Sequence, residues 1–587
     1  MCGIIGITGR LGDNIVSKVI TGLEKLEYRG YDSAGIAVIA NGQIERLRAV
    51  GKLQNLKNKL EDTPISGNVG IGHTRWATHG KPTEHNAHPI ISETVAVVHN
   101  GIIENFRELK FDLQKEGFVF ETETDTEVLA HLLQREINKG YQPSEAFKNI
   151  LGLINGSYAI ASIFSSLPNT IIAVKHKSPL VVGFGENICV GSDINSISAV
   201  CREVVYLEDG EYVEISANEA LFFDKTFRQI FPVKQKIPLD FVNSGKGKYM
   251  NYMLKEIVEQ PSTIRKTLLH NKINGEIFNG ISRILILACG TSYHAGMIAK
   301  YWFEKFLKIP TDIEIASEYR YRFPIIGENI LAIAITQSGE TIDTLEAVEY
   351  VRKNSNSRVM AIANVKNSAI SRISDFIFYT EAGAEIGVAS TKAFSAQLTI
   401  LANLAFYNNE FLMQEFQNLP TLCEEILGLQ DKIENLAKKI CSADSAIYLG
   451  RGSLYPIALE GALKLKEISY IHAEGFAAGE MKHGPIALVD DDIPVICLCP
   501  HNELFEKTSS NIQMALARGK NIIIFTDPSG DKLLSPEATK IILPQIFDEF
   551  VPILYVIPLQ LLAYHTALLR GMDVDKPRNL AKSVTVE

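Results

Sequence analysis

The sequence predicts a multidomain α/β protein: an antiparallel-sheet block at the N-terminus, then two doubly wound domains built on parallel sheets. Three patterns carry this reading. Up to about residue 220 the chain is a succession of short β runs with tight-turn dipeptides between them. From about residue 270 it becomes strand, small polar loop, helix, repeated. The same order returns about 160 residues later, as a tandem duplication would produce. At 587 residues the chain is long enough for about three or four ordinary domains.

In the first block, residues 36–40, Asn41-Gly42 and 43–50 read as a hairpin. So do 204–207, Asp209-Gly210 and 212–215, because both dipeptides tolerate the positive φ that a two-residue turn demands. Further strands are expected at 69–72, 95–98, 158–164, 171–174 and 181–184. Thr124 with Glu127 three residues on predicts a capping box, opening a helix with Val128, Leu129, Leu132 and Leu133 on one face.

Residues 233–255 have no clear apolar period and read as connecting chain. Beyond them, strands are expected at 283–288, 329–335 and 358–363, and again at 446–449, 493–498 and 521–525. The expected division is a block over 2–220, a linker over 221–268, doubly wound domains over 269–415 and 438–578, and a tail over 579–587. In sheets of this kind ligands sit beyond the carboxyl ends of the strands, where loops open into helix N-termini.

Composition narrows the function classes. The chain is 46% hydrophobic and 21% charged, with 58 basic against 68 acidic residues, a net −10. That balance leaves no electrostatic footprint for nucleic acid or an acidic membrane. The N-terminus shows no secretory signal. The charge-free stretch 551–569 contains Pro552, Pro558, Gln560 and His565, and reads as a buried globular segment rather than a bilayer span. The eight cysteines are scattered without a paired C-x-x-C, which points to a reducing, cytoplasmic setting.

Two sets of residues suggest chemistry. Cys2 follows the initiator Met, and removal of Met1 would give it both a thiol and an α-amine that can act as its base. Gly72-His-Thr-Arg-Trp-Ala-Thr-His-Gly80 and His99-Asn-Gly-Ile102 end strands in polar loops. There Asn100 and Gly101 suit a developing oxyanion, Arg75 a carboxylate, and Asp125 an ammonium. Together they fit an α-amino acid with a side-chain amide. Plainer readings stand beside these: a strand-start residue, a turn, a salt bridge and a helix-start acid. His73, His79, His85 and His88 cluster in sequence, but no Cys or carboxylate spacing completes a ligand set, so no metal is expected.

In the second half, Thr336-Gln-Ser-Gly-Glu-Thr341 is a hydroxyl-rich loop between a strand and a helix. With Cys289-Gly-Thr-Ser292 and Val388-Ala-Ser-Thr391 it suits a phosphomonoester, although capping by Ser338 alone would also explain it. No G-x-x-x-x-G-K-[ST] occurs, so a nucleotide P-loop is unsupported. On the helix after Pro456, Glu460, Lys464 and Glu467 form one stripe while most other directions are apolar. A solvated charge stripe is the plain alternative. A buried stripe lining a cavity would have the shifted pKa values that proton transfer needs.

The N-terminal motifs Met1-Cys-Gly-Ile-Ile-Gly6, Leu26-Glu-Tyr-Arg-Gly-Tyr-Asp-Ser-Ala34, His73-Thr-Arg-Trp-Ala-Thr-His79 and Val98-His-Asn-Gly101 resemble the glutaminase domain of class II (N-terminal nucleophile) amidotransferases. The second half, with Ala458-Leu-Glu-Gly-Ala-Leu-Lys-Leu-Lys-Glu467, Gly479-Glu-Met-Lys-His-Gly-Pro485 and the tail from Pro577, resembles tandem sugar-isomerase (SIS) domains. The resemblance implies an αββα Ntn-hydrolase-type sandwich followed by two SIS (flavodoxin-like) domains. It implies glutamine and fructose 6-phosphate as substrates, glucosamine 6-phosphate and glutamate as products, internal ammonia transfer and no cofactor.

Cys2 would be the nucleophile, with Asn100 and Gly101 as the oxyanion hole. Arg75, Thr78, His79 and Asp125 would hold glutamine, and Trp76 would gate the ammonia route. Lys582 would form a Schiff base with the open-chain ketose, and His483 would assist ring opening from across a homodimer. Glu467 would move the proton between C1 and C2 with Lys464 and Glu460 in support. Thr291, Ser292, Thr336, Gln337, Ser338, Thr341, Val388, Ser390 and Glu460 would line the sugar-phosphate site. At 336 the family usually has Ser. A phosphosugar-sensing regulator without catalysis is the competing reading, as is another class II amidotransferase, which would need a diphosphate or ATP loop.

Overall fold

The computed structural model describes residues 2–10, 12–237 and 245–584. Met1, the middle of the expected linker (238–244) and the end of the tail (585–587) lie outside them. The chain divides into two compact units, the first reaching Gly245 and the second spanning Lys246–Lys582.

The first unit opens with β1 (Gly3–Thr8), α1 (Val16–Glu24), β2 (Ser33–Ala40), β3 (Gln43–Val50) and α2 (Leu53–Asp62). Then come β4 (Val69–Arg75), β5 (Ile90–Ser92), β6 (Val95–Ile103), α3 (Phe106–Lys115), α4 (Thr126–Asn138) and α5 (Pro143–Leu151). After these follow β7 (Gly156–Phe164), β8 (Leu167–His176), β9 (Val181–Gly185) and β10 (Ile188–Gly191). The unit closes with β11 (Cys201–Tyr206), β12 (Tyr212–Ile215), β13 (Ala220–Phe223), β14 (Gln229–Ile230) and β15 (Gln235–Lys236).

Among the described residues these form an eight-stranded sheet, β15-β11-β9-β10-β1-β4-β2-β3, and a seven-stranded sheet, β14-β13-β12-β8-β7-β6-β5. Period-two alternation assigns the faces. Ile4 of β1 joins Val69, Val98, Ala159 and Val213 in the layer between the sheets. Its neighbours Ile5 and Ile7 face outward with Val19 and Leu23 of α1. The other sheet covers its outer face with Val128, Leu132 and Phe147 of α4 and α5. The result is the expected αββα sandwich, with β1 central in its sheet and Cys2 at the strand's entrance.

The hairpin at Asn41-Gly42 forms, with φ of 50° and 77° at the two turn residues and β2 paired along β3. The one expected at Asp209-Gly210 does not. There β11 pairs with β9 and β15, while β12 pairs with β8 and β13 in the other sheet. The dipeptide instead carries the chain between sheets, pinned as Gly210 N–H donates to the Lys175 carbonyl at 2.8 Å and Lys177 N–H donates to Asp209 at 2.9 Å. The capping box at Thr124–Glu127 is also absent. α4 starts after Asp125, and the Glu127 carboxylate accepts from the N–H groups of Glu121 and Thr122, both at 2.7 Å.

The second unit begins with α6 (Tyr252–Val258) and α7 (Gln260–His270). This corrects the linker reading of 221–268: its N-terminal part holds β13 to β15, and its C-terminal part holds helices whose Met253, Ile257 and Ile264 are fully buried in the second unit's core. The start of α6 is fixed from the far end of the sequence, as Tyr252 and Met253 donate their N–H groups to Asp575 at 3.0 and 2.9 Å.

Two five-stranded parallel sheets follow. The first contains β16 (Arg283–Ala288), α8 (Gly290–Trp302), β17 (Thr311–Ile315), β18 (Ile330–Ile335), α9 (Ile342–Asn354), β19 (Arg358–Ala363) and β20 (Phe376–Tyr379). Helices α10 (Lys392–Phe406), α11 (Leu419–Leu427) and α12 (Gln430–Ile440) lead to the second sheet. That sheet contains β21 (Ser445–Gly450), α13 (Tyr455–Ser469), β22 (His472–Ala477), β23 (Val495–Leu498), α14 (Phe505–Leu516), β24 (Ile522–Thr526) and β25 (Thr539–Ile542). The last helix is α15 (Val551–Leu569).

Strand orders β17-β16-β18-β19-β20 and β22-β21-β23-β24-β25 are the same order twice, the doubly wound arrangement expected from the repeat. The central strands are buried on both faces, which is why they read as unbroken apolar runs. The charge-free stretch Val551–Leu569 is α15, 94% buried over its most apolar window and packed on α12 and α13.

Candidate active site

In the first unit, Cys2 precedes β1 and reaches the end of β4, where Trp76 N–H donates to its sulfur at 3.2 Å and the thiol faces the Trp76 carbonyl at 3.3 Å. Loss of water around the thiol raises its pKa, while the Trp76 N–H and the Arg75 charge pull it down. Asn100 lies beside it on β6. Its Nδ2 donates to the Cys2 carbonyl at 3.1 Å and to Ser192 at 2.9 Å. Its Oδ1 faces His73 Nε2 at 3.1 Å. The other neighbour of that nitrogen is the His99 carbonyl at 3.0 Å, so Nε2 carries the proton and the amide is held one way round. Burial drives His73 down to about 3, so the ring is neutral and serves as a fixed donor.

Gly101, next on β6, has φ +123°, and a Cβ there would lie 1.9 Å from the Ser157 carbonyl oxygen. Only glycine fits this turn of the strand beside the thiol. Asp125 accepts from Ile103 N–H at 2.9 Å and so anchors the same strand end. Arg75, 3% exposed, donates to the carbonyls of His79, Gly80 and Lys81, the last two at 3.2 Å, and thereby folds the 76–81 loop. Thr78 is exposed on that loop, while His79 is half-buried against Phe106 and Trp76 meets Tyr31 edge-on at 6.0 Å. Sequence reading missed His73 and Ser192 as partners of Asn100. His73 comes from β4 and Ser192 from just after β10, both distant from Asn100 in sequence.

In the second unit Glu460 and Lys464 of the α13 stripe are buried and Glu467 is half-buried. Lys464 lies 2.6 Å from Glu467 and 3.4 Å from Glu460 and donates to Thr291 at 3.2 Å. Burial opposes its charge, but Glu467 and Glu460 outweigh that and push it up to about 12. Glu460 is fully enclosed: Thr291 donates to it at 3.1 Å and His294 Nδ1 at 2.7 Å. Its contacts are therefore protein groups, and it positions Lys464. Burial works against the Glu460 carboxylate, yet Lys464, His294 and Thr291 hold it below the ordinary carboxyl range.

Lys582 is no frayed terminal residue. Its side chain is 4% exposed and ion-paired to Glu385, whose own side chain is wholly buried. Glu385 further accepts from Thr391 and Ala393 N–H, both at 3.0 Å, and from Ser390 at 3.2 Å. It also adds to the field that raises Lys464, so the two clusters neighbour one another. Ser292, at the start of α8, accepts from Gln397 at 3.0 Å. In the loop after β18, Thr336 and Thr341 share a hydrogen bond of 2.9 Å between hydroxyls, Gly339 N–H donates to Thr336 and Glu340 N–H to Ser338. Ser338 thus closes a turn within the loop, with Gln337 accepting from Asn364 N–H at 3.0 Å. Val388 is buried two residues before Ser390. These groups lie at the carboxyl ends of β16 and β18, the switch point of the sheet. His483 stands apart. It is exposed at the end of a short 3-10 segment and makes no hydrogen bond or ion pair among the described residues.

Glu385, Glu256 and His294 were not legible in sequence. Glu256 accepts from Ile386 and Gly387 N–H, at 2.5 and 3.1 Å. Its charge is surplus, because Lys582 already pairs with Glu385 and Lys392 with Glu259 at 2.8 Å. Burial and Glu385 push it up to about 7. The folded chain then binds this proton more tightly than the unfolded chain, so stability falls as pH rises from the ordinary carboxyl value through about 7. Glu256→Gln is expected to stabilise the fold relative to wild type at pH 8, by on the order of 1 kcal/mol, with the gain vanishing near pH 5. Scanning calorimetry at both pH values checks this, and a larger gain at pH 5 would contradict it.

Comparison with known proteins agrees with this division. The family described as glutamine amidotransferase domain matches residues 73–199, and the SIS domain family matches 277–406 and 439–570. Glutamine–fructose-6-phosphate aminotransferases (isomerizing) of Bradyrhizobium diazoefficiens and Brucella abortus are 46% and 45% identical, each aligned over the whole of both chains. The C-terminal domain of the glucosamine-fructose-6-phosphate aminotransferase of Francisella tularensis is 43% identical. It covers 56% of this chain and 99% of its own, with a TM-score of 0.54. The chain belongs to the glutamine–fructose-6-phosphate aminotransferase (isomerizing) family.

Proposed function

We propose that this chain transfers the amide nitrogen of glutamine to fructose 6-phosphate, releasing glutamate and forming glucosamine 6-phosphate. In the first unit the Cys2 thiolate attacks the side-chain amide, ammonia leaves, and water hydrolyses the glutamyl thioester. Asn100 and the Gly101 N–H steady the oxyanion, and Arg75, Thr78, His79 and Asp125 receive the glutamine head group. In the second unit Lys582 condenses with the open-chain ketose, losing water. Ammonia then displaces the lysine, and Glu467 carries a proton from C1 to C2. Ser292, Thr336, Gln337, Ser338 and Thr341 hold the phosphate. Internal passage of ammonia, gated by Trp76, keeps it from protonation in bulk water.

The observation that carries this reading is the buried Lys582–Glu385 pair beside the Lys464 relay. A ligand sensor has no need to bury an amine against a carboxylate next to a proton-carrying stripe. The test is incubation of the purified chain with glutamine and fructose 6-phosphate, with amino sugar and glutamate assayed together. Absence of amino sugar would overturn the reading. The eight free cysteines and a phosphorylated substrate support a cytoplasmic setting.

A homodimer in which His483 serves its partner's sugar site is part of the proposal, supported by the exposure of His483 and its lack of polar partners among the described residues. Mixing inactive His483→Ala with inactive Lys582→Ala chains is expected to restore up to about a quarter of wild-type activity, because only mixed dimers contain one intact site. No recovery after verified subunit exchange would refute the crossing.

His294 is a positioning residue in this scheme. Loss of its hydrogen bond to the enclosed Glu460 frees that carboxylate to draw Lys464 from Glu467. His294→Ala is expected to lower kcat roughly tenfold with KM for fructose 6-phosphate nearly unchanged, and His294→Asn, which keeps an N–H, to recover most of it. A uniform loss in both variants, matched by thermal destabilisation, would count against the role.

A further inference from the structure

The second parallel sheet repeats the strand order of the first, so it has a switch point of its own, at the carboxyl ends of β21 and β23. A cavity of about 360 Å³ opens there, lined by Arg451, Gly452 and Ser453 after β21 and by Asn502 and Glu503 after β23. Its volume lies within the roughly 300–1,000 Å³ of small-molecule pockets. Lys305, beyond the end of α8, and Asp548 and Glu549, just before α15, complete the wall. None of these residues belongs to the two sites described above.

The cavity is not a second copy of the hydroxyl cradle. Where the first sheet has Thr336, Ser338 and Thr341, the loop after β23 reads Cys499-Pro-His-Asn-Glu503, without a Ser or Thr. Its wall carries two chemically different groups. Arg451 donates to Asn511 at 2.9 Å while its buried Nε–H has no partner among the described residues, and Ser453 adds a hydroxyl. Glu503, Asp548 and Glu549 add three carboxylates with one lysine, Lys305, at 2.8 Å from Glu549. Burial together with Glu549 and Glu503 pushes the Asp548 carboxyl up, a mark of surplus negative charge.

We propose that this cavity is a second ligand site for a small zwitterion, with a phosphate at Arg451 and Ser453 and an ammonium at Glu503 and Asp548, the pattern of an amino sugar phosphate. The choice of that class rests on the product named above. The probe is labelled glucosamine 6-phosphate, measured by equilibrium dialysis against the full chain. Two molecules per chain are expected, of which saturating fructose 6-phosphate displaces one. The undisplaced one weakens roughly tenfold or more in Arg451→Ala and in Glu503→Gln, while synthesis assayed without added product stays at the wild-type rate. Glucose 6-phosphate, lacking the amine, and glucosamine, lacking the phosphate, compete poorly. Glu503 is exposed, so its variant tests the site without threatening the fold.

The proposal is overturned if fructose 6-phosphate displaces every bound molecule, or if the undisplaced molecule survives both substitutions. Failure of the functional reading looks different: the displaceable molecule is then missing, and one bound molecule sensitive to Arg451 and Glu503 remains.

Discussion

Cys2→Ala is expected to abolish glutamate release and glutamine-dependent amino sugar synthesis, a loss of about 10⁴-fold or more, as for removal of a covalent nucleophile. Synthesis supplied with concentrated ammonium salt should persist, because Glu385 and Lys464, the ion-pair partners of Lys582 and Glu467, both belong to the second unit. The selectivity of that loss is the informative part. A variant that merely misfolds loses both nitrogen sources together. The thiol is raised by burial, so thiolate formation is limiting and glutamine hydrolysis should climb with pH. A free α-amine on Cys2 would relieve this by taking the proton locally. Intact-mass measurement of active protein should therefore show Met1 removed. Full activity with Met1 retained would refute the amine's part, and unimpaired glutamine use in Cys2→Ala would refute the thiol's.

What the sequence disclosed depended on the range of the interaction. The turn at Asn41-Gly42 was legible because two adjacent residues set it. The same logic failed at Asp209-Gly210, where the choice of partner strand is made by Ile171–Val174 contacts in β8 rather than by the dipeptide. Central strands announced themselves as apolar runs, whereas the edge strand β17, Thr311-Asp-Ile-Glu-Ile315, mixes polar and apolar residues and left no such trace. The helices α6 and α7 were hidden in an apparent linker, and the cap of α6 is an aspartate 322 residues away.

The candidate sites divide in the same way. Glu460, Lys464 and Glu467 share one helix, and their spacing gave away a stripe. That Glu460 and Lys464 are buried followed from the apolar surroundings of the stripe. The groups that hold it, His294 at a separation of 166 residues and Glu385 at 197 from Lys582, come together only in the folded chain. Arg75 shows the opposite limit. Its type suggested a carboxylate fork, and nothing in its spacing announced that three of its donors also fold its own loop.

Lys582→Ala is expected to reduce synthesis from either nitrogen source by a similar margin, about 10⁴-fold or more, while glutamine hydrolysis continues. The charge pattern explains why a conservative change should not help. Lys582→Arg keeps a cation for Glu385 and preserves the fold, but a guanidinium does not release a proton near neutral pH and cannot condense with a ketone. Glu385 anchors the amine at the site, so Glu385→Gln, which keeps the shape but loses the ion pair, should lower synthesis from either nitrogen source and leave glutamine hydrolysis unmoved. Borohydride added with fructose 6-phosphate should fix one sugar phosphate on wild-type protein, mapped to Lys582 by peptide mass. An adduct on Lys464, or undiminished synthesis in Lys582→Ala, would move the condensation to another amine. Lys464 is the natural competitor, yet two carboxylates raise it to about 12 and hold it protonated, which leaves Lys582 as the nucleophile of the pair.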